Sequence, residues 1–71
     1  MRKKIYNGEI VYVKHPIEEA VFKFIPKDEK IYVFAKSIPK GDEYSVDEQS
    51  NFATDAWLEG EEITQEEYKN F

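Results

Sequence analysis

The apolar pattern of this chain changes period once, near residue 44, and that change decides what it can fold into. Up to residue 36 the strand-like runs place apolar side chains at every second position, the mark of strands with two distinct faces. Beyond residue 44 the apolar residues recur at helical spacing. Strands followed by helices, rather than alternating with them, predict an α+β domain. The expected form is a small antiparallel meander of three or four strands, followed by two C-terminal helices packed on one face. With 71 residues the chain is a single domain, 1–71. A chain this short buries only about 60% of the surface it exposes when unfolded, so its core is small.

Three runs carry the strand signal. The first is Glu9-Ile10-Val11-Tyr12-Val13-Lys14, preceded by Ile5-Tyr6 and Asn7-Gly8. Asn-Gly tolerates the positive φ values of a tight hairpin turn, so it reads as a hairpin or as a bulge opening one longer strand. His15-Pro16 ends the run, because proline donates nothing to a ladder. The second run, Glu19 to Ile25, is expected to stop at Pro26, with Pro26-Lys27-Asp28-Glu29 as the turn. Lys30 to Lys36 is the third. A faint echo of that turn recurs at Ile38-Pro39-Lys40-Gly41-Asp42-Glu43, too short to be a repeat architecture.

Two capping boxes organise the last thirty residues. Ser45-Val46-Asp47-Glu48 predicts a helix running to about Glu59 and ending at Gly60 as a left-handed terminator. On that helix Val46, Phe52, Ala53, Ala56 and Trp57 share an arc of about 140°, a core-facing stripe. Thr64-Gln65-Glu66-Glu67 predicts a short second helix carrying Tyr68 and Phe71. Phe22, Phe24, Val33, Phe52 and Trp57 are the expected centre of the core.

Alternation divides the strand residues into two sets. Val11, Val13, Ala20, Phe22, Phe24, Ile31, Val33 and Ala35 are wholly apolar and belong under the helices. The second set, Ile10, Tyr12, Lys14, Val21, Lys23, Ile25, Tyr32, Phe34 and Lys36, mixes aromatic and aliphatic groups with three lysines. Lysine stems and rings can shield one another in water. The same patch can pack against a second copy or a protein partner, and rings with lysines also suit single-stranded nucleic acid. For that last use Tyr12, Lys14, Lys23, Tyr32, Phe34 and Lys36 are the candidates, but the net charge of −5 opposes it.

Catalytic chemistry finds little support. There is no cysteine, so no thiol nucleophile, disulfide or Cys-ligated zinc. The lone His15 sits before a proline and reads as an exposed, incidental loop residue; an enzyme would need a pocket joining it to a carboxylate such as Glu18. No nucleophile elbow surrounds Ser37, Ser45 or Ser50, and no phosphate-binding or dinucleotide motif is present. The acidic tract 42–48 lacks the spacing of a calcium loop. No cofactor and no metal are expected, and the reading is non-enzymatic. No apolar run approaches a membrane span, and the basic start lacks the apolar stretch of a signal peptide. With the absence of cysteine, a cytoplasmic location follows.

Charge gives the positive indication. Residues 1–40 hold nine bases and five acids, +4, whereas residues 41–71 hold one base and ten acids, −9. On the predicted helix Glu48, Asp55 and Glu59 project at about 200°, 180° and 220° from Val46, in one row. Glu61, Glu62, Glu66 and Glu67 continue it past Gly60. Carboxylates at such spacing resemble backbone phosphates and can occupy a phosphate-binding groove. Glu48, Asp55, Glu59, Glu62 and Glu66 are therefore the candidate contacts to a protein partner with a basic, nucleic-acid-binding surface. In size and in lacking cysteine and catalytic residues, the chain looks like the small accessory proteins that viruses or mobile elements encode to bind host factors. The expected function is that of an interaction module or inhibitor.

Overall fold

The computed structural model describes residues 2–37 and 41–71. Among them the order is α1 (Arg2–Tyr6), β1 (Val11–Lys14), β2 (Ala20–Lys27), β3 (Lys30–Ser37), β4 (Tyr44–Val46), α2 (Asn51–Glu59), β5 (Glu61–Ile63) and α3 (Gln65–Lys69). The strands form one antiparallel sheet in the order β4-β3-β2-β1-β5. The α+β class holds, but the sheet gains a strand beyond the expected meander. Strand β5 follows α2 and returns to pair with β1 at Tyr12↔Ile63 and Lys14↔Glu61.

The β2–β3 hairpin is the backbone of the sheet, paired from Ala20↔Ser37 to Lys27↔Lys30. Its two-residue turn is Asp28-Glu29, with φ of 53° and 64°. That is the sign required by a type I′ turn, here met without glycine. Pro26 does not end the strand, as its sequence position had suggested, but pairs with Ile31 inside it. A two-residue turn makes Lys27 and Lys30 the hydrogen-bonded pair, so the next pair, Pro26 and Ile31, is a non-bonded one. The missing N–H then faces the side of β1, which begins only opposite Phe24. The second turn of the sequence echo falls partly on 38–40, outside the described residues.

The N-terminal segment overturns the hairpin or bulge expectation. Residues 2–6 are helical, and Asn7-Gly8 closes the helix. Gly8 N–H donates to the Ile5 carbonyl at 3.0 Å and Glu9 N–H to the Lys4 carbonyl at 2.7 Å, a Schellman termination. Gly8 has φ 80°. A hairpin turn and a helix terminator need the same left-handed residue, so Asn-Gly alone does not choose between them. Burial chooses: the helix seats Ile5 in the core.

The first capping box is also corrected. Ser45 and Val46 lie in β4, with Val46 opposite Val33 and Tyr44 opposite Ala35, so both half-bury against the core face while Ser45 points away. Asp47 makes a turn instead, its carboxylate accepting from Gln49 N–H at 2.9 Å. The cap of α2 is Ser50, whose hydroxyl accepts from Ala53 N–H at 3.1 Å. The second box forms as expected: Thr64 accepts from Glu67 N–H while the Glu67 carboxylate accepts from Thr64 N–H, each at 3.1 Å.

Alternation assigned the faces correctly. The first carries Val11, Val13, Ala20, Phe22, Phe24, Val33 and Ala35 into one cluster with Ile5, Ala53 and Ala56. Helix α2 lies against it, with Phe52 edge-on to Phe22 at 4.8 Å and Trp57 edge-on to Phe24 at 5.0 Å. Such ring pairs contribute about 0.5–1.5 kcal/mol each beyond their burial. Phe52 and Trp57 flank this core half-buried rather than filling its centre. Helix α3 does not join α2 on one face. It covers the opposite face, where its Tyr68 is buried against Tyr12 at 5.2 Å. Gly60 makes the passage between them possible. Its φ is −73°, so it is no left-handed terminator. A Cβ there would come within 3.0 Å of the Ala56 and Lys14 carbonyls and of Val13 Cγ1.

Candidate protein-binding surface

The aromatic and lysine side chains of the second face are largely engaged by the chain itself. Lys36 Nζ donates to the carbonyls of Tyr68 at 3.0 Å and Lys69 at 3.2 Å, neutralising the C-terminal end of α3. It also sits 4.8 Å from the Tyr68 ring centre. Lys23 Nζ pairs with Glu43 at 2.9 Å and lies 5.3 Å from the Phe34 ring. The Tyr68 hydroxyl donates to the same Glu43 carboxylate at 2.7 Å. That hydrogen bond first, and Lys23 second, hold the Glu43 carboxyl below its ordinary range. Burial, followed by the bond to Glu43, pushes the Tyr68 phenol well up. Of the six residues suited to nucleic acid, Lys14 and Tyr32 stay exposed, Phe34 is half-buried, and Tyr12, Lys23 and Lys36 are packed under or around α3.

The acidic candidates are distributed differently from the single helical row. Asp55 and Glu59 stand one turn apart on the exposed side of α2, about 6 Å along its axis. Glu48 is exposed in the turn before α2, not on the helix. Glu62 is exposed on the edge strand β5 and pairs with Lys4 of α1; that hydrogen bond raises the Lys4 ammonium above its usual value. Glu66 is in the first turn of α3, on the far face of the sheet. Glu48, Asp55, Glu59 and Glu66 have no ion-pair partner among the described residues.

His15 is buried, only 4% exposed, which corrects its reading as an exposed loop residue. Alternation from Val13 turns it onto the core face, against Phe52 at 4.9 Å and Phe22 at 6.0 Å. Its Nδ1 accepts from the N–H groups of Ile17 at 3.1 Å and Glu18 at 3.0 Å, so it closes the β1–β2 turn. The ring proton is thereby assigned to Nε2, which is buried without a hydrogen-bond partner among the described residues. Its link to Glu18 goes to the backbone, not to the carboxylate an acid–base pair would require.

Three exposed apolar residues were not singled out by the sequence, among them Ile17, 83% exposed, in the β1–β2 turn. Leu58, 61% exposed, lies on the solvent side of α2 beside Asp55 and Glu59, which both stand to one side of it around the axis. The wheel of the predicted helix already sets it about 120° from Val46, outside the core-facing stripe. Tyr6, 85% exposed, walls a cleft of about 270 Å³ with Ile5, Ile31 and Trp57. Its exposure depends on α1, which the hairpin expectation had replaced.

A family model, that of the Tis1 immunity protein, matches residues 1–70. The chain belongs to that family. No curated protein and no solved structure matches it. For a Tis1 immunity protein the relevant features are its small α+β build, compatible with an interaction module, and the surfaces it leaves unoccupied. Among the described residues no helix is long and apolar enough to cross a membrane, and no group of acidic or histidine side chains is arranged to hold a metal ion.

Proposed function

We propose that this protein is an immunity factor that binds a toxin protein and blocks it without catalysis. In this reading the acidic side of the molecule covers a basic, nucleic-acid-binding surface on that toxin. The observation that carries it is the exposed side of α2, where Asp55 and Glu59 stand without an ion-pair partner among the described residues, beside an exposed Leu58. An exposed apolar side chain beside two carboxylates offers a basic partner both charge and apolar area. Family membership supports a protein partner. The internal pairing of Lys23 and Lys36 supports the acidic side over the lysine face. Glu48, Glu62 and Glu66 extend the contact from the turn before α2, from the sheet edge and from α3.

A second reading places the contact on the residual apolar patch of the second face, where Tyr32 is 45% exposed beside its cross-strand neighbour Ile25. Salt separates the two. The partner is captured from the native host with the tagged protein and identified by mass spectrometry. Its affinity is then followed from low salt to 1 M, where the Debye length is about 3 Å. Contact through Asp55 and Glu59 weakens steeply along that series. Contact through Tyr32 holds or tightens, because apolar burial does not depend on unscreened charge. A salt-independent affinity would overturn the acidic reading.

A further inference from the structure

We propose that the cleft between Trp57 and Glu48 receives an arginine side chain of the toxin, its guanidinium stacked on the indole and paired with the carboxylate. The proposal rests on the reading above, in which the partner presents a basic surface, and it names where one of those bases enters.

The cleft holds about 120 Å³ and is lined by Phe24, Ile31, Val33, Glu48 and Trp57. That is room for about four waters, the size of a guanidinium group. It shares Ile31 and Trp57 with the cleft walled by Tyr6. Phe24 meets Trp57 edge-on at 61° and fixes the indole. Tryptophan is the ring best suited to a cation, yet among the described residues none lies over it. Lys23 and Lys36 sit over Phe34 and Tyr68, on the other face of the sheet. Glu48 is exposed, and no ion pair engages it among the described residues.

A half-buried indole with no cation over it and a carboxylate with no ion pair, both among the described residues, thus line one apolar slot. A wholly apolar guest would desolvate Glu48 without pairing it, which opposes entry. A lysine could reach the carboxylate but has no planar head to stack. An arginine satisfies all three walls: the stem lies along Ile31 and Val33, the plane on Trp57, the fork on Glu48.

Trp57 is the sole tryptophan, so its emission reports on this cleft. The probes are a five-residue peptide with one arginine between glycines, and the same peptide with citrulline, which keeps the shape and loses the charge. The arginine peptide should change Trp57 emission saturably, and the citrulline peptide should not over the same range. Glu48→Gln should weaken the arginine peptide by roughly tenfold, the loss of a charge-assisted bond. An equal response to citrulline, or an unchanged affinity in Glu48→Gln, overturns the proposal. A hexa-arginine peptide separates it from the broader reading. Binding that is lost in Asp55→Lys with Glu59→Lys but unchanged in Glu48→Gln overturns the cleft and leaves the acidic contact standing. The opposite pattern supports the cleft and overturns the contact through α2.

Discussion

At the scale of single residues, backbone geometry decides more than side-chain chemistry. Gly60 is the sharpest case. Three atoms crowd the space where its side chain would be, and two of them are carbonyl oxygens that cannot swing away. Gly60→Ala should therefore cost about 3 kcal/mol, the upper end of overpacking. A domain of this length holds only about 4–10 kcal/mol in total, so urea denaturation should show the midpoint collapsing. An unchanged midpoint would mean that α2 and β1 do not meet there. Glu29 offers the opposite sign. At φ 64° its Cβ is strained, and Glu29→Gly should gain about 1 kcal/mol, raising Tm by about 4–8 °C. The sequence showed that Gly60 was special but not why. A terminator is legible locally, whereas the approach of β1 is tertiary. His15 was misread for a related reason. Its neighbour Pro16 signals a loop, and that signal outweighed the alternation from Val13, which carries the residue just past β1 onto the core face.

Among the elements, those read from period and from complete local motifs survived, and those read from ambiguous motifs did not. The face assignment of β1, β2 and β3 and the Thr64 capping box were fully legible, since alternation and a reciprocal box each admit one geometry. Strand β5 was not, because three residues between two helices leave no periodicity to detect. Ser45 of the expected box and Ser50 of the observed cap provide a direct comparison. Ser50→Ala should cost about 1 kcal/mol by removing the α2 cap. Ser45→Ala, on the exposed side of an edge strand, should stay within about 0.5 kcal/mol. Equal losses in thermal melts would restore the earlier helix start.

Helix α3 has its own signature in pH. The Glu43 carboxyl is held below its unfolded value, so the stability it contributes is complete above about pH 4.5 and is lost as pH falls through the lower folded value. The Tyr68 phenol is held above its unfolded value of about 10, so its contribution is complete below pH 10 and fades as the unfolded chain ionises. Glu43→Gln should flatten the acid limb and Tyr68→Phe the alkaline limb in denaturation curves taken across pH. The Glu43 contribution is limited to about 1 kcal/mol by the partial exposure of its ion pair with Lys23.

For the whole molecule, the division between a +4 half and a −9 half becomes a division of roles. Among the basic residues of the sheet, Lys23 and Lys36 fasten α3 and turn inward, while most of the acids, Asp55 and Glu59 among them, face solvent. The concentration of acids in residues 41–71 was visible in the charge count. Their arrangement over α2, the sheet edge and α3 was not, because it depends on β5 carrying the chain from one face to the other. The central claim is that Asp55 and Glu59 steer this protein onto a basic partner. Its most direct test is the association rate with the captured toxin at low salt, compared between the native protein and Asp55→Lys with Glu59→Lys. Both residues are exposed and leave the core untouched. The account predicts association slowed by about tenfold or more, with the difference vanishing near 1 M salt. Equal association rates at low salt would contradict it.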